Sequence, residues 1–93
     1  MFWVYVLKCA DASYYTGHTE NLELRLACHQ SAEIKGYTSS RLPVKLVFSQ
    51  PMSTRVEALA AERQIKGWSR AKKEAMMRGD WQTVSKLAKS KIK

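Results

Sequence analysis

Two strand-forming segments follow each other so closely at the start of this chain that a β-hairpin is the simplest fold for it. Residues 2–7 read FWVYVL, and such β-branched and aromatic side chains favour a strand. Residues 9–13, CADAS, are small and turn-prone, and residues 14–17, YYTG, predict a second short strand. We therefore expect an antiparallel strand pair at the N-terminus, against which the remaining elements must pack.

The rest of the chain predicts one more strand and four helices. A polar loop over residues 35–43 precedes a strand at 44–48, where apolar and polar residues alternate. Residues with capping side chains predict the helix starts: Asn21 before 22–31, Ser53 before 54–66, Ser69 before 70–78 and Asp80 before 81–89. The order β-β-α-β-α-α-α predicts an α+β fold with a small, three-stranded, mostly antiparallel sheet flanked by helices.

Length and charge indicate a single basic domain. The 93 residues fit one domain over 1–93, with a core over about 2–79 and a basic C-terminal helix over about 80–93. The formal net charge is +8, of which residues 1–50 contribute +1 and residues 51–93 contribute +7. Clustered Lys and Arg gain affinity for phosphates by releasing counterions, so we expect a nucleic-acid partner. A solvated lysine-rich surface is the alternative.

Composition also excludes several classes of protein. No apolar run approaches the length of a membrane span, and the first residues lack the pattern of a secretory signal. The two cysteines have no C-x-x-C spacing, so we expect reduced thiols, a cytoplasmic location and no membrane partner. Cys9, His18, Cys28 and His29 match no spacing of zinc ligands.

Five polar residues are candidates for chemistry, each with a structural alternative. Tyr5 and Tyr15 lie on consecutive predicted strands, where phenols are usually packing residues with a polar tip. Arg25 and His29 are four residues apart on one helix face, which suits either phosphate binding or an exposed cationic pair. Glu62 falls in an apolar helical arc, and such an acid must be paired, neutral or bound to a metal.

The partner of Glu62 remains open from sequence reasoning alone. Lys66 follows one helical turn later, so the two side chains can form a purely structural ion pair. A single carboxylate can instead hold Mg²⁺ in a site completed largely by water.

Taken together, these residues resemble the GIY-YIG nuclease domain in ordered motifs that span residues 2–79. The tyrosine motifs appear as Trp3-Val4-Tyr5, where the glycine and isoleucine are replaced, and as Tyr15-Thr16-Gly17. The family's arginine and histidine helix corresponds to residues 21–29, NLELRLACH, and its glutamate helix to residues 57–66, EALAAERQIK. Gly36-Tyr37-Thr38 with Arg41 resembles the loop of short, stand-alone bacterial members.

The resemblance implies phosphodiester hydrolysis with one divalent ion, Mg²⁺ or Mn²⁺. Tyr5 would be the general base or position the attacking water, Arg25 would hold the scissile phosphate, and Glu62 would bind the metal. Tyr15 and His29 would complete the catalytic set. Supporting roles would fall to Gly17, His18 and Thr38. The basic residues expected to contact nucleic acid are Lys66, Arg70, Lys72 and Lys73.

The expected substrate is DNA, cut according to its structure rather than its sequence, in repair or recombination. We expect no separate recognition domain, and therefore expect a partner protein that supplies targeting. The alternatives are a basic nucleic-acid-binding module with little or no catalysis, and an interaction protein with a vestigial site.

Overall fold

The computed structural model describes residues 1–31 and 36–90, and within these it contains three strands and four helices. The strands are β1 (Phe2–Lys8), β2 (Tyr14–Thr19) and β3 (Lys45–Met52). The helices are α1 (Leu22–Gln30), α2 (Arg55–Lys66), α3 (Arg70–Met77) and α4 (Trp81–Ser90). This order confirms the predicted α+β class. Two predicted segments, the loop at residue 35 and the C-terminal helix at 91–93, extend outside the described residues.

The sheet has the order β2-β1-β3, and β1 pairs antiparallel with both neighbours. The N-terminal hairpin is therefore present, with Tyr5 opposite Gly17 in β2. β3 runs four residues beyond its predicted end, because β1 offers pairing partners as far as Met52. Pro51 lies within this extension, and an edge strand tolerates a proline because one side of its backbone has no ladder to complete.

The helix starts follow the capping residues with one exception. Asn21 accepts a hydrogen bond from the backbone N–H of Leu24, and Ser69 and Asp80 cap α3 and α4 in the same way. The prediction of Ser53 as the cap of α2 is wrong. Thr54 caps this helix, because its side chain and that of Glu57 form a reciprocal capping box.

The two faces of the sheet carry different layers. Val4 and Val6 of β1 face a cluster formed with Ile65 of α2 and with residues of α3 and α4. Tyr5 and Leu7 point to the opposite face, where Leu22 and Leu26 of α1 pack against them. Because side chains alternate along β1, α1 packs on the face of Tyr5 and Leu7, whereas α2, α3 and α4 contribute to the cluster on the opposite face. None of the described helices is long and apolar enough to cross a lipid bilayer.

Candidate active site

A polar pocket of about 460 Å³ lies around the end of β2, where α1 and α2 approach the sheet. It brings together four of the five predicted catalytic residues, together with two of the supporting ones. Its lining includes Tyr5, Tyr15, Arg25, Glu62, Gly17 and His18. The fifth predicted catalytic residue, His29, is buried directly behind Tyr5.

Gly17 creates the space that Tyr5 occupies. A Cβ atom at this position would lie 2.6 Å from the Tyr5 hydroxyl and 3.2 Å from the Tyr15 ring. No real Cβ atom approaches so closely, and Tyr5 is only 2% exposed and has little room to move away. The two tyrosine rings lie on the same face with their centroids 6.4 Å apart. Glycine is required here for close approach rather than for an unusual backbone angle.

His29 connects the first strand to the loop after α1. Its Nε2 lies 2.9 Å from the Tyr5 hydroxyl, and its Nδ1 lies 2.8 Å from Oγ1 of Thr38. His29 and Thr38 are buried, and the Tyr15 ring packs edge-on against the imidazole with centroids 5.2 Å apart. The three residues Tyr5, His29 and Thr38 form a continuous hydrogen-bonded chain, which we call the proton chain.

Burial keeps the proton chain neutral. It raises the pKa of the Tyr5 phenol well above its ordinary value, with a further contribution from the neighbouring Tyr15 that outweighs the opposing effect of Arg25. It also lowers the pKa of His29, and the positive charge of Arg25 acts in the same direction. A neutral imidazole has one N–H and one acceptor nitrogen, so either tautomer satisfies both hydrogen bonds. The structure therefore disfavours a free phenolate at Tyr5.

Glu62 lies on the other side of the pocket and has two basic side chains as partners. Its Oε1 is 2.6 Å from Nδ1 of His18, and its Oε2 is 2.9 Å from Nζ of Lys66. Burial opposes ionisation of the carboxyl, but the hydrogen bonds from Lys66 and His18 outweigh it and lower the pKa of Glu62. The same contact with Glu62 raises the pKa of Lys66. We call Glu62, His18 and Lys66 the charged triad.

The donor atoms around Glu62 fit one hard divalent cation. No group of three or more His, Cys, Asp or Glu side chains in residues 1–31 and 36–90 is arranged to hold a metal, which argues against a closed cage there. Mg²⁺ commonly binds through one carboxylate, with water and phosphate oxygens completing its shell. Each carboxylate oxygen has two lone pairs, so Glu62 retains capacity beyond its present hydrogen bonds.

Arg25 is placed at the rim of the pocket, unlike its helix neighbour His29. Both project from the predicted face of α1, but Arg25 is exposed whereas His29 is buried. Within the described part of the chain, no acidic side chain lies within ion-pair distance of Arg25. Its guanidinium is therefore available for an anion.

Sequence reasoning missed four residues that line the same pocket, namely Phe2, Thr19, Glu20 and Arg55. The guanidinium of Arg55 lies 5.3 Å from the centre of the Phe2 ring and 3.3 Å from a carboxylate oxygen of Glu20. These residues come from β1, the end of β2, the β2–α1 connection and α2, so no local pattern joins them. Only the exposed arginine in the first turn of α2 gave any signal.

The loop before β3 forms a wall beside the pocket. The Tyr37 ring stacks against Tyr15 with centroids 6.2 Å apart, and the Arg41 guanidinium covers the Tyr37 ring at 3.9 Å. Arg41 also pairs with Asp11 of the hairpin loop at 3.0 Å. These contacts fix the loop that carries Thr38 against both the hairpin and the proton chain.

The remaining basic residues predicted to contact nucleic acid lie on α3, away from the pocket. Lys72 is only 7% exposed, and its ammonium packs 4.4 Å from the centre of the Trp68 ring. Arg70 pairs with Glu74 at 3.2 Å and donates to the backbone oxygen of Ala12. Burial lowers the pKa of Lys73. Intramolecular contacts thus engage Arg70 and Lys72 more than the charge pattern suggested.

Comparison with known proteins identifies the family. The model of the GIY-YIG catalytic domain matches residues 1–75. A UPF0213 protein of Streptococcus pneumoniae is 43% identical over 75 residues, which are 81% of this chain and 76% of that protein. A UPF0213 protein of Natronomonas pharaonis is 45% identical over 75 residues, covering 81% and 88% of the two chains.

A solved structure agrees with this assignment. The solution NMR structure of the UPF0213 protein from Bacillus halodurans is 37% identical, covers 84% of each chain and superposes with a TM-score of 0.55. The sequence motifs, the fold and these relatives point to the same family. This chain belongs to the GIY-YIG catalytic domain family.

Proposed function

We propose that the protein is a divalent-metal-dependent endonuclease that hydrolyses phosphodiester bonds of DNA. The observation that carries the proposal is the convergence of Tyr5, Arg25 and Glu62 on one polar pocket. These side chains offer a hydroxyl for the attacking water, a planar fork for phosphate and a hard oxygen for a metal. Together they supply the parts that metal-assisted phosphodiester hydrolysis uses.

Proton removal from the attacking water is assigned to the proton chain. Tyr5 donates its hydroxyl proton to Nε2 of His29 while its oxygen accepts a proton from the water, so that Tyr5 stays neutral throughout. This route suits a phenol whose pKa burial has raised, because a free phenolate never forms. The Nδ1–H of the resulting imidazolium donates to Oγ1 of Thr38, which lies 2.8 Å away. Tyr15 packs against His29 and keeps the ring in position.

The phosphate and the metal are assigned to the exposed side of the pocket. Arg25 binds the scissile phosphate and offsets the charge that develops on it. Glu62 would hold Mg²⁺ or Mn²⁺, and a bound ion would polarise a phosphate oxygen and stabilise the leaving oxygen. Arg55 extends the positive rim toward Phe2, where we place the backbone of the flanking nucleotide.

The substrate is DNA recognised by its structure, and the setting is the cytoplasm, in repair or recombination. The described surface around the pocket offers cations and aromatic rings, which bind backbone and base faces without reading sequence. We also propose that a partner protein directs the enzyme to its DNA substrate.

The test compares the wild-type protein with Glu62→Gln on labelled single-stranded, duplex and branched DNA, with Mg²⁺, Mn²⁺ or EDTA. Glu23→Gln is the matched control, because it removes the same charge from an exposed position on α1 outside the pocket. We expect cleavage by the wild type and Glu23→Gln with metal only, and a loss of about 10²-fold or more for Glu62→Gln. Equal cleavage by Glu62→Gln, or cleavage in EDTA, would contradict the proposal.

The second candidate is a basic DNA-binding module without cleavage. It is favoured by the charged triad, in which both oxygens of Glu62 already have a partner without any metal. It predicts that the wild type and Glu62→Gln bind the same DNA equally, with an affinity that falls steeply as salt rises, and that neither protein cuts.

A further inference from the structure

The two partners of Glu62 differ in how firmly the fold holds them. His18 belongs to a strand, and its side chain is 25% exposed, whereas Lys66 ends a helix and its side chain is 51% exposed. Glu62 itself is only 12% exposed. The ammonium of Lys66 therefore approaches the carboxylate from the solvent side, on a flexible four-carbon stem.

A divalent cation bound at Glu62 would compete directly with that ammonium. The Lys66 Nζ atom is 2.9 Å from Oε2 of Glu62, which is the distance of a charge-assisted hydrogen bond. Two cations that share one carboxylate at this range repel each other, and the repulsion is stronger beside a partly buried site than in bulk water. His18 contacts the other oxygen, so Lys66 is the partner whose departure frees Oε2.

A displaced Lys66 would have a new anion within its reach. Its ammonium is 6.0 Å from the centre of the Tyr15 ring, and Tyr15 lines the pocket in which the phosphate is placed. Rotation about the bonds of its stem moves the ammonium from Glu62 toward that phosphate. The phosphate then compensates the cation for the lost carboxylate.

We propose that Lys66 is an exchangeable internal cation, which occupies Glu62 in the free protein and transfers to a substrate phosphate when a divalent metal binds. This inference rests on the proposed function and deepens it. Metal and DNA then bind cooperatively, since each favours the state in which Lys66 has left Glu62, and the coupling is reciprocal. The free protein keeps a low affinity for metal until its substrate arrives.

The experiment measures Mn²⁺ affinity at pH 7.5 from the electron paramagnetic resonance signal of the free ion. Every protein carries Tyr5→Phe, so that a single-stranded oligonucleotide stays intact, and the protein with this change alone serves as the wild type. The others carry in addition Lys66→Met, Lys66→Gln or Arg63→Met. Arg63 is the matched control, because it is an exposed cation three residues earlier on the same helix. Circular dichroism confirms that each variant is folded.

Without DNA, both Lys66 variants should bind Mn²⁺ about fivefold to tenfold more tightly than the wild type, an effect in the range of ordinary site coupling. We next compare the ratio of Mn²⁺ affinities with and without the oligonucleotide. This ratio should be about five times larger for the wild type and Arg63→Met than for the Lys66 variants. Equal Mn²⁺ affinities for the wild type and the Lys66 variants, or equal effects of DNA on them, would overturn the exchange.

Glu62→Gln separates this failure from failure of the proposed function. If Glu62→Gln loses Mn²⁺ binding while Lys66→Met behaves as the wild type, the exchange is wrong and the metal site stands. If Glu62→Gln binds Mn²⁺ as tightly as the wild type, the ion is not held by Glu62, and both proposals lose their basis.

Discussion

The proton chain and the charged triad lie on opposite sides of one pocket and use hydrogen bonds of similar length in different ways. The contacts of His29 with Tyr5 and Thr38 measure 2.9 and 2.8 Å, and those of Glu62 with Lys66 and His18 measure 2.9 and 2.6 Å. The first set is neutral and buried. The second is charged and reaches solvent through Lys66.

Burial explains the difference. Inside the protein, an unpaired charge is costly, so Tyr5 and His29 keep neutral forms and fixed partners. Near the surface, water compensates for a broken ion pair, so an exposed cation can exchange one anion for another at little cost. Under the proposed function this difference divides the labour, because the buried side moves protons and the exposed side binds metal and phosphate.

The largest expected effect comes from removing the hydroxyl of Tyr5. Tyr5→Phe keeps the ring but breaks the link from the pocket to His29, so cleavage should fall by about 10² to 10⁴-fold, the usual contribution of a positioned proton-transfer group. Single-turnover cleavage measures the change. Tyr14→Phe is the control, because its hydroxyl contacts Glu74 and lies outside the pocket. Equal rates for the two variants would show that the buried side does not move the proton.

A methyl group at position 17 should be the next largest perturbation. Gly17→Ala forces Tyr5 out of its place against His29, and overpacking of this kind lowers the free energy of unfolding by about 1–3 kcal/mol. Urea unfolding measures the loss. Gly67→Ala serves as the control, because φ is −79° there and the nearest atom to a new Cβ is 3.5 Å away. If both variants were equally stable, Tyr5 would be less tightly held than its burial indicates.

The buried side should also make stability depend on pH. The pKa of His29 is lower in the folded than in the unfolded protein, so the unfolded chain binds more protons as the pH falls. The contribution of His29 to the free energy of unfolding is complete above its pKa in the unfolded chain, about 6.5. Below that pH the contribution decreases, by at most about 1.4 kcal/mol per pH unit.

Urea unfolding between pH 7.5 and 5 measures this slope, and His29→Gln should flatten it. NMR titration of the imidazole provides a direct check, since the chain has two histidines and the variant identifies one of them. A His29 that titrates at or above the unfolded value would contradict the neutral proton chain.

The smallest expected effects distinguish two kinds of basic residue. Arg55→Ala should weaken DNA binding, because it removes one proposed phosphate contact. The salt slope, by which we mean the slope of the logarithm of the binding constant against the logarithm of the salt concentration, should fall by about one in magnitude. Lys72→Ala should leave that slope unchanged and instead lower the free energy of unfolding by about 0.5–2 kcal/mol, through loss of its contact with Trp68. Fluorescence anisotropy at several salt concentrations measures the slopes. The reverse result would place the DNA on α3 instead of at the pocket.

Local patterns in the sequence predicted the elements well and the details of the site less well. Caps, turn residues and alternation are local signals, so the order of strands and helices followed from them. The error at a cap was at α2, where Thr54 instead of Ser53 is the cap. The spacing of Arg25 and His29 predicted a shared helix face. It did not predict that one would be exposed and the other buried, because that depends on how α1 packs on the sheet.

The sequence by itself determined the α+β class, the family resemblance and the identity of the polar residues, since motif order and periodicity are properties of the chain. The tertiary structure decided which partners those residues have. It joined Tyr5 to His29 across 24 positions and Glu62 to His18 across 44, buried Lys72 of α3 against Trp68, and added Phe2, Thr19, Glu20 and Arg55 to the pocket. The reason is physical, because pKa values and hydrogen-bond partners depend on burial and on neighbours that are distant in sequence.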